Sequence, residues 1–153
     1  MKILFIGTIG LITRDRANGR RLFVDNLDLP LRHVKGTDFV FSDRLPGSRY
    51  FGVWPESEAA RICLGRKRWP KNRAVPQAFV EFEVGSPAKV FAAAVELQAK
   101  GISLLHPAHT DPWGQTVVRF QTEDGLIVGI SYVPWMHAKK RPATRRASRT
   151  RGR

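Results

Sequence analysis

The chain runs twice through one series of elements: a strand, a helix, then three strands. An internal repeat of this kind restricts the fold to architectures in which two copies of one unit share a core. In the first half, residues 3 to 13 read as a buried strand rich in Ile, Phe and Thr. Asp15 is placed to cap a helix over residues 16 to 27, which Gly19 weakens. Leu31 to Lys35, Asp38 to Ser42 and Tyr50 to Trp54 read as short strands, and Pro46-Gly47 marks a turn before the last. In the second half, Ala78 to Val84 reads as the opening strand. Ser86 is a cap, Pro87 suits the first helical turn, and Gly101 stops the helix. Val90, Ala94 and Leu97 recur at helical spacing, and Phe91 and Val95 widen that stripe. Ile102 to Leu105, Thr116 to Gln121 and Leu126 to Val133 read as the three strands that follow. Superposing the two first strands sets Thr8 against Phe79, an offset of 71. An extra helical piece, Ser57 to Leu64, and a basic linker, GRKRWPKNRAVP, lie between the halves.

At 153 residues the chain is long enough for one ordinary domain or two small modules with a common core. The formal net charge of +13 is unevenly placed. Residues 138 to 153 hold eight Lys/Arg and no acid, which leaves the body at +5. That segment has no apolar residue larger than Ala or Pro and reads as a disordered basic tail. The body is expected over residues 1–137, with modules at about 1–68 and 74–137. A single cysteine, Cys63, allows no intrachain disulfide and reads as a small apolar packing residue. The apolar run ILFIGTIGLI is too short to span a bilayer as a helix and has no small-x-small cleavage site behind it. The expectation is a cytoplasmic protein without a membrane segment.

The stretch DPWGQTVVRFQTEDGLIVGIS, Asp111 to Ser131, is two strand-like runs joined by a Glu123-Asp124-Gly125 turn and entered through a Pro-Trp-Gly corner. With LITRDRANGRRLFVDNLDLPL and VEFEV…AAAVELQAKGI, it resembles the vicinal oxygen chelate superfamily of glyoxalases, bleomycin-resistance proteins and ring-cleaving dioxygenases. The resemblance covers residues 3 to 135. It implies an α+β fold in which two βαβββ modules form a curled mixed sheet around a shared cleft. Metal-dependent members, as the resemblance implies, take ligands from the first and last strand of each module. Here the matching positions are Thr8, Phe79 and Gly129, and Tyr50 to Trp54 offers no His or carboxylate. No metal and no cofactor are therefore expected.

Glu81 and Glu83 share a strand face with Phe79. Glu81 is a weak catalytic candidate as a general acid or base, and its alternative role is an acceptor paired with Arg119 across the sheet. His106, His109, His137 and His33 lack the partners a zinc site needs and read as solvated or hydrogen-bonded side chains. Trp54 and Trp113 are placed at the cleft, and Trp69 in the crossover between modules. The expected ligand-binding residues are Thr8, Phe41, Phe51, Trp54, Phe79, Glu81, Trp113, Gln115, Phe120 and Ser131. The leading reading is a metal-independent small-molecule binding protein, of a drug- or metabolite-sequestering kind. A body at +5 suits neutral or anionic ligands better than cationic ones. The rival is a lyase, isomerase or dioxygenase of the same fold with a divergent site. A third reading is weak, nonspecific nucleic-acid binding through the tail. Pairing of two copies as a homodimer is left open.

Overall fold

The computed structural model describes residues 1–14, 17 and 20–138. The strands are β1 (Phe5–Thr13), β2 (Arg32–His33), β3 (Val40–Ser42), β4 (Tyr50–Pro55), β5 (Ala78–Glu83), β6 (His109–Thr110), β7 (Thr116–Gln121) and β8 (Ile127–Tyr132). The helices are α1 (Glu56–Leu64), α2 (Pro87–Ala99) and the short α3 (Pro134–His137), and Arg21–Asn26 forms a π-helical segment. Together the strands make one open eight-stranded sheet in the order β2-β3-β4-β1-β5-β8-β7-β6. The two halves of that order are the two sequence repeats, each running outward from its own first strand. Within each half the first strand lies parallel to the last, β1 beside β4 and β5 beside β8. The halves meet where β1 and β5 pair antiparallel, and Ile9 pairs there with Val80, 71 residues on. The offset read from the sequence is thus the register at the centre of the seam.

Two apolar clusters form on opposite faces of the sheet, as the two-residue alternation of strand side chains requires. Helix α2 covers one face, where Val90, Ala93, Ala94 and Leu97 meet Val118 and Ile130. Its start matches expectation: the Ser86 side chain accepts from the Lys89 amide, and Pro87 occupies the first turn. Helix α1 lies on the other face, where Ala59, Ala60 and Cys63 pack with Trp54, Trp69, Phe79 and Ile127. Burial pushes the Cys63 thiol up to about 11, which fits its reading as an inert packing residue. Trp69 is buried in the same cluster, as expected for the crossover.

Several expected details are corrected. Ile102 to Leu105 is not a strand: only Leu104 bridges to Phe120, and Pro107, with no N–H to give, ends that approach. The outer strand forms instead at His109–Thr110, against β7. Phe91 and Val95 do not widen the buried stripe of α2, for they stand 47% and 68% exposed. The expected helix over 16 to 27 is in part the π-helical segment, and its Asp15 cap lies outside the described residues. The basic tail beyond Ala138 lies outside them too.

Candidate functional site

One row of paired residues runs across five strands beneath the cleft. Thr8 on β1 pairs with Tyr50 on β4 and with Glu81 on β5. Glu81 pairs with Gly129 on β8, and Gly129 with Arg119 on β7. Directly paired residues share a face, so this row brings a phenol, a hydroxyl, a carboxylate and a guanidinium to one surface. Gly129 is the gap in the row, and Glu81 leans across it. A Cβ on Gly129 would stand 2.8 Å from Glu81 Cγ. Across that gap Arg119 Nε and Nη2 donate to Glu81 Oε1 at 3.0 and 2.8 Å. Gln115 Nε2 donates to Glu81 Oε2 at 2.7 Å, and Trp113 Nε1 donates in turn to Gln115 Oε1 at 3.1 Å.

Both members of the pair are buried, Glu81 at 4% and Arg119 at 3% exposure. Burial works against the Arg119 charge, but the Glu81 carboxylate and its hydrogen bonds outweigh it and hold the guanidinium above its ordinary pKa. Burial, followed by the Glu81 charge, raises the Tyr50 phenol well above its ordinary value and keeps it protonated.

Above this floor lies a cleft of about 530 Å³. Aromatic rings wall it: Phe39, Phe41, Tyr50, Trp54, Phe79, Trp113 and Trp135. Phe41 and Tyr50 stack with centroids 4.8 Å apart, and Trp54 meets Phe79 edge-on at 5.3 Å. Trp113, 59% exposed, stands at the mouth. Helix α3 contributes Trp135 and Met136 and is tied down by the second buried carboxylate, Glu83. Ser131 Oγ donates to Glu83 Oε1, the Val133 amide donates to Oε2 at 2.8 Å, and His137 Nε2 lies 2.8 Å from Oε2.

Seven of the ten expected ligand-binding residues line the cleft: Thr8, Phe41, Trp54, Phe79, Glu81, Trp113 and Gln115. The other three do not. Phe51 and Trp54 are three positions apart on one strand and face opposite ways; Phe51 meets Phe23 instead. Phe120 alternates with Arg119 and packs under α2. Ser131 shares the face of Gly129, but its hydroxyl is committed to Glu83. Tyr50 was missed, although the same alternation that places Trp54 in the cleft places Tyr50 there. Trp135 and Met136 had no comparable signal, since α3 was not expected. The histidines follow their structural reading. His106 Nδ1 and His109 Nδ1 lie 2.8 and 3.0 Å from the Pro107 carbonyl, and His109 Nε2 lies 3.1 Å from Asp111.

The described residues that line the cleft do not fit a divalent cation. Among the described residues no three His, Cys, Asp or Glu side chains are grouped to hold one. The space beside the expected ligand positions is already filled. The Phe79 ring lies over Gly10, the Phe39 ring over Gly52 and the Glu81 side chain over Gly129, each within 2.8 Å of where a Cβ would stand. The Glu81 oxygens face a buried cation already, in Arg119.

This open mixed sheet, built of two βαβββ modules over one cleft, has the glyoxalase-like fold, and the resemblance read from the sequence holds at that level. A glyoxalase/bleomycin resistance protein/dioxygenase superfamily member from Vibrio splendidus 12B01 matches it with a TM-score of 0.52 and 18% identity, over 82% of this chain and 97% of that one. A structure described as NAD-dependent benzaldehyde dehydrogenase from Legionella pneumophila matches with a TM-score of 0.56 and 17% identity, over 82% and 97%. A Streptomyces coelicolor methylmalonyl-CoA epimerase variant in complex with 2-nitronate-propionyl-CoA matches with a TM-score of 0.55 and 15% identity, over 87% and 99%. At such identities the likeness establishes the fold and not the chemistry. No family model and no curated protein matches the chain. Among the described residues no helix is long and apolar enough to cross a membrane.

Proposed function

We propose that the protein binds a flat, largely apolar small molecule in this cleft without a metal ion. The observation that carries the reading is the cleft itself: about 530 Å³ walled by aromatic rings over an internally paired charge. Its volume falls in the range of small-molecule sites, and a few polar groups among apolar walls are what such sites use to orient a ligand. Rings of this kind stack on planar ligands. With Glu81 and Arg119 cancelling each other, a neutral ligand meets no uncompensated charge at the floor, and the basic body does not repel an anionic one.

The test is titration of metal-stripped protein with planar aromatic compounds, followed by tryptophan fluorescence and calorimetry. Stoichiometric binding that Trp54→Ala weakens at least about tenfold supports the reading. Stoichiometric Fe, Mn, Zn or Ni that survives dialysis and requires cleft residues overturns it.

The rival reading is an enzyme of the same fold, for which the solved epimerase with its acyl-CoA analogue is the precedent. Glu81 would have to serve as acid or base, yet three N–H donors from Arg119 and Gln115 already occupy its oxygens. The binding reading asks nothing further of Glu81, which is why we prefer it. Nucleic-acid binding through residues 138 to 153 is a separate property, tested by salt-dependent RNA retention with and without them.

A further inference from the structure

Two hydroxyls that line the cleft have no hydrogen-bond partner among the described residues. Thr8 and Tyr50 are register partners on β1 and β4, and both line the cleft. Neither hydroxyl makes a hydrogen bond among the described residues, and neither oxygen is sealed from solvent. Arg119 Nη1 is sealed and has no acceptor. Glu81, the register neighbour of Thr8 on β5, already takes three donors. The two open hydroxyls, with no partner among the described residues to give up, are free to pair with a ligand, each such bond contributing a modest net amount. Because Glu81 already offsets Arg119, the floor itself offers an ionised ligand group no unpaired charge.

We propose that the cleft is built for an aryl carbonyl compound, a planar aromatic whose uncharged oxygen is held by the Tyr50 and Thr8 hydroxyls. This deepens the small-molecule reading and rests on it. Tyr50 stacks on Phe41 and lines the cleft, so its ring forms part of the wall beside Thr8, its register partner on β1. A tyrosine hydroxyl is protonated at neutral pH and so can donate there. Trp54 and Phe79 then hold the aromatic body.

Three matched probes separate the possibilities by calorimetry: 2-acetylnaphthalene, its near-isostere 2-isopropylnaphthalene, and 2-naphthoate. We expect the ketone to bind about tenfold tighter than the hydrocarbon, as two modest hydrogen bonds would give. Tyr50→Phe and Thr8→Val should each cut that ratio by about threefold or more, and the double variant should bring it near one. Equal affinities of ketone and hydrocarbon in the unaltered protein would overturn this inference while leaving the apolar cleft reading intact. Tightest binding of the naphthoate would replace the uncharged oxygen with an anion. Binding of none of the three would overturn both this inference and the reading it rests on.

Discussion

Gly129 shows how a single missing side chain takes its meaning from its neighbours. Read in the sequence, it is a position where a ligand carboxylate is lacking. In the fold that space holds the stem of Glu81, which reaches through it to Arg119. Gly129→Ala should therefore destabilise the protein by about 1–3 kcal/mol, because the added methyl meets a side chain fixed by three hydrogen bonds rather than a free end. Urea denaturation measures this, and a variant as stable as the parent would show that Glu81 can step aside. His106 gives a second residue-scale prediction. Burial, against the pull of its bond to Pro107, lowers its pKa to about 4, below the ordinary value of about 6.5. The unfolded chain thus takes up the proton first. The stability contributed by the neutral ring is complete above about pH 6.5 and is lost as the pH falls toward 4. Comparing pH 7 with pH 5, His106→Phe should lose less stability than the parent; an equal loss would rule out His106 as a source of acid sensitivity.

At the scale of elements, the sequence was most legible where local signals agreed. Ser86, Pro87 and Gly101 bounded α2, and the Val- and Phe-rich runs gave β5, β7 and β8. It was least legible where an element depends on distant partners. The outermost strand is two residues long and exists only as a pairing against β7, so no local run announces it. Helix α3 holds its place through Glu83, some fifty residues earlier in the chain. The three misplaced ligand contacts have a simpler origin. Phe51 and Phe120 sit an odd number of residues from Trp54 and Arg119 and so face away from the cleft, whereas Tyr50, in even alternation with Trp54, faces it. The third, Ser131, faced the right way but had a neighbour to satisfy. Helix α2 offers a direct test of how narrow its buried arc is. Val90, fully buried, should cost on the order of 1–3 kcal/mol when cut to Ala, while the adjacent Phe91, half exposed, should cost about 0.5 kcal/mol or less. Comparable losses at both would mean that Phe91 is covered in solution.

At the scale of the whole molecule, the net charge is concentrated toward one end of the sequence. Most of the net +13 sits in residues 138 to 153, beyond the last contact that α3 makes with the sheet. Removing residues 139 to 153 should change unfolding free energy by no more than about 0.5 kcal/mol and leave probe binding in the cleft unaltered. The same truncation should abolish salt-sensitive retention on RNA. Loss of fold or of cleft binding on truncation would mean that the tail is part of the site.

The seam at Ile9 and Val80 relates the two modules as a pair, and in that relation Gly52 on β4 corresponds to Gly129 on β8. What fills the two positions differs. A phenyl ring from Phe39 covers the first, and the carboxylate arm of Glu81 covers the second. A cleft with two equal walls would accept an elongated guest in either of two directions. This one is closed by a phenyl ring at one end and by a carboxylate already paired with Arg119 at the other, so two modules equal in topology present unequal surfaces.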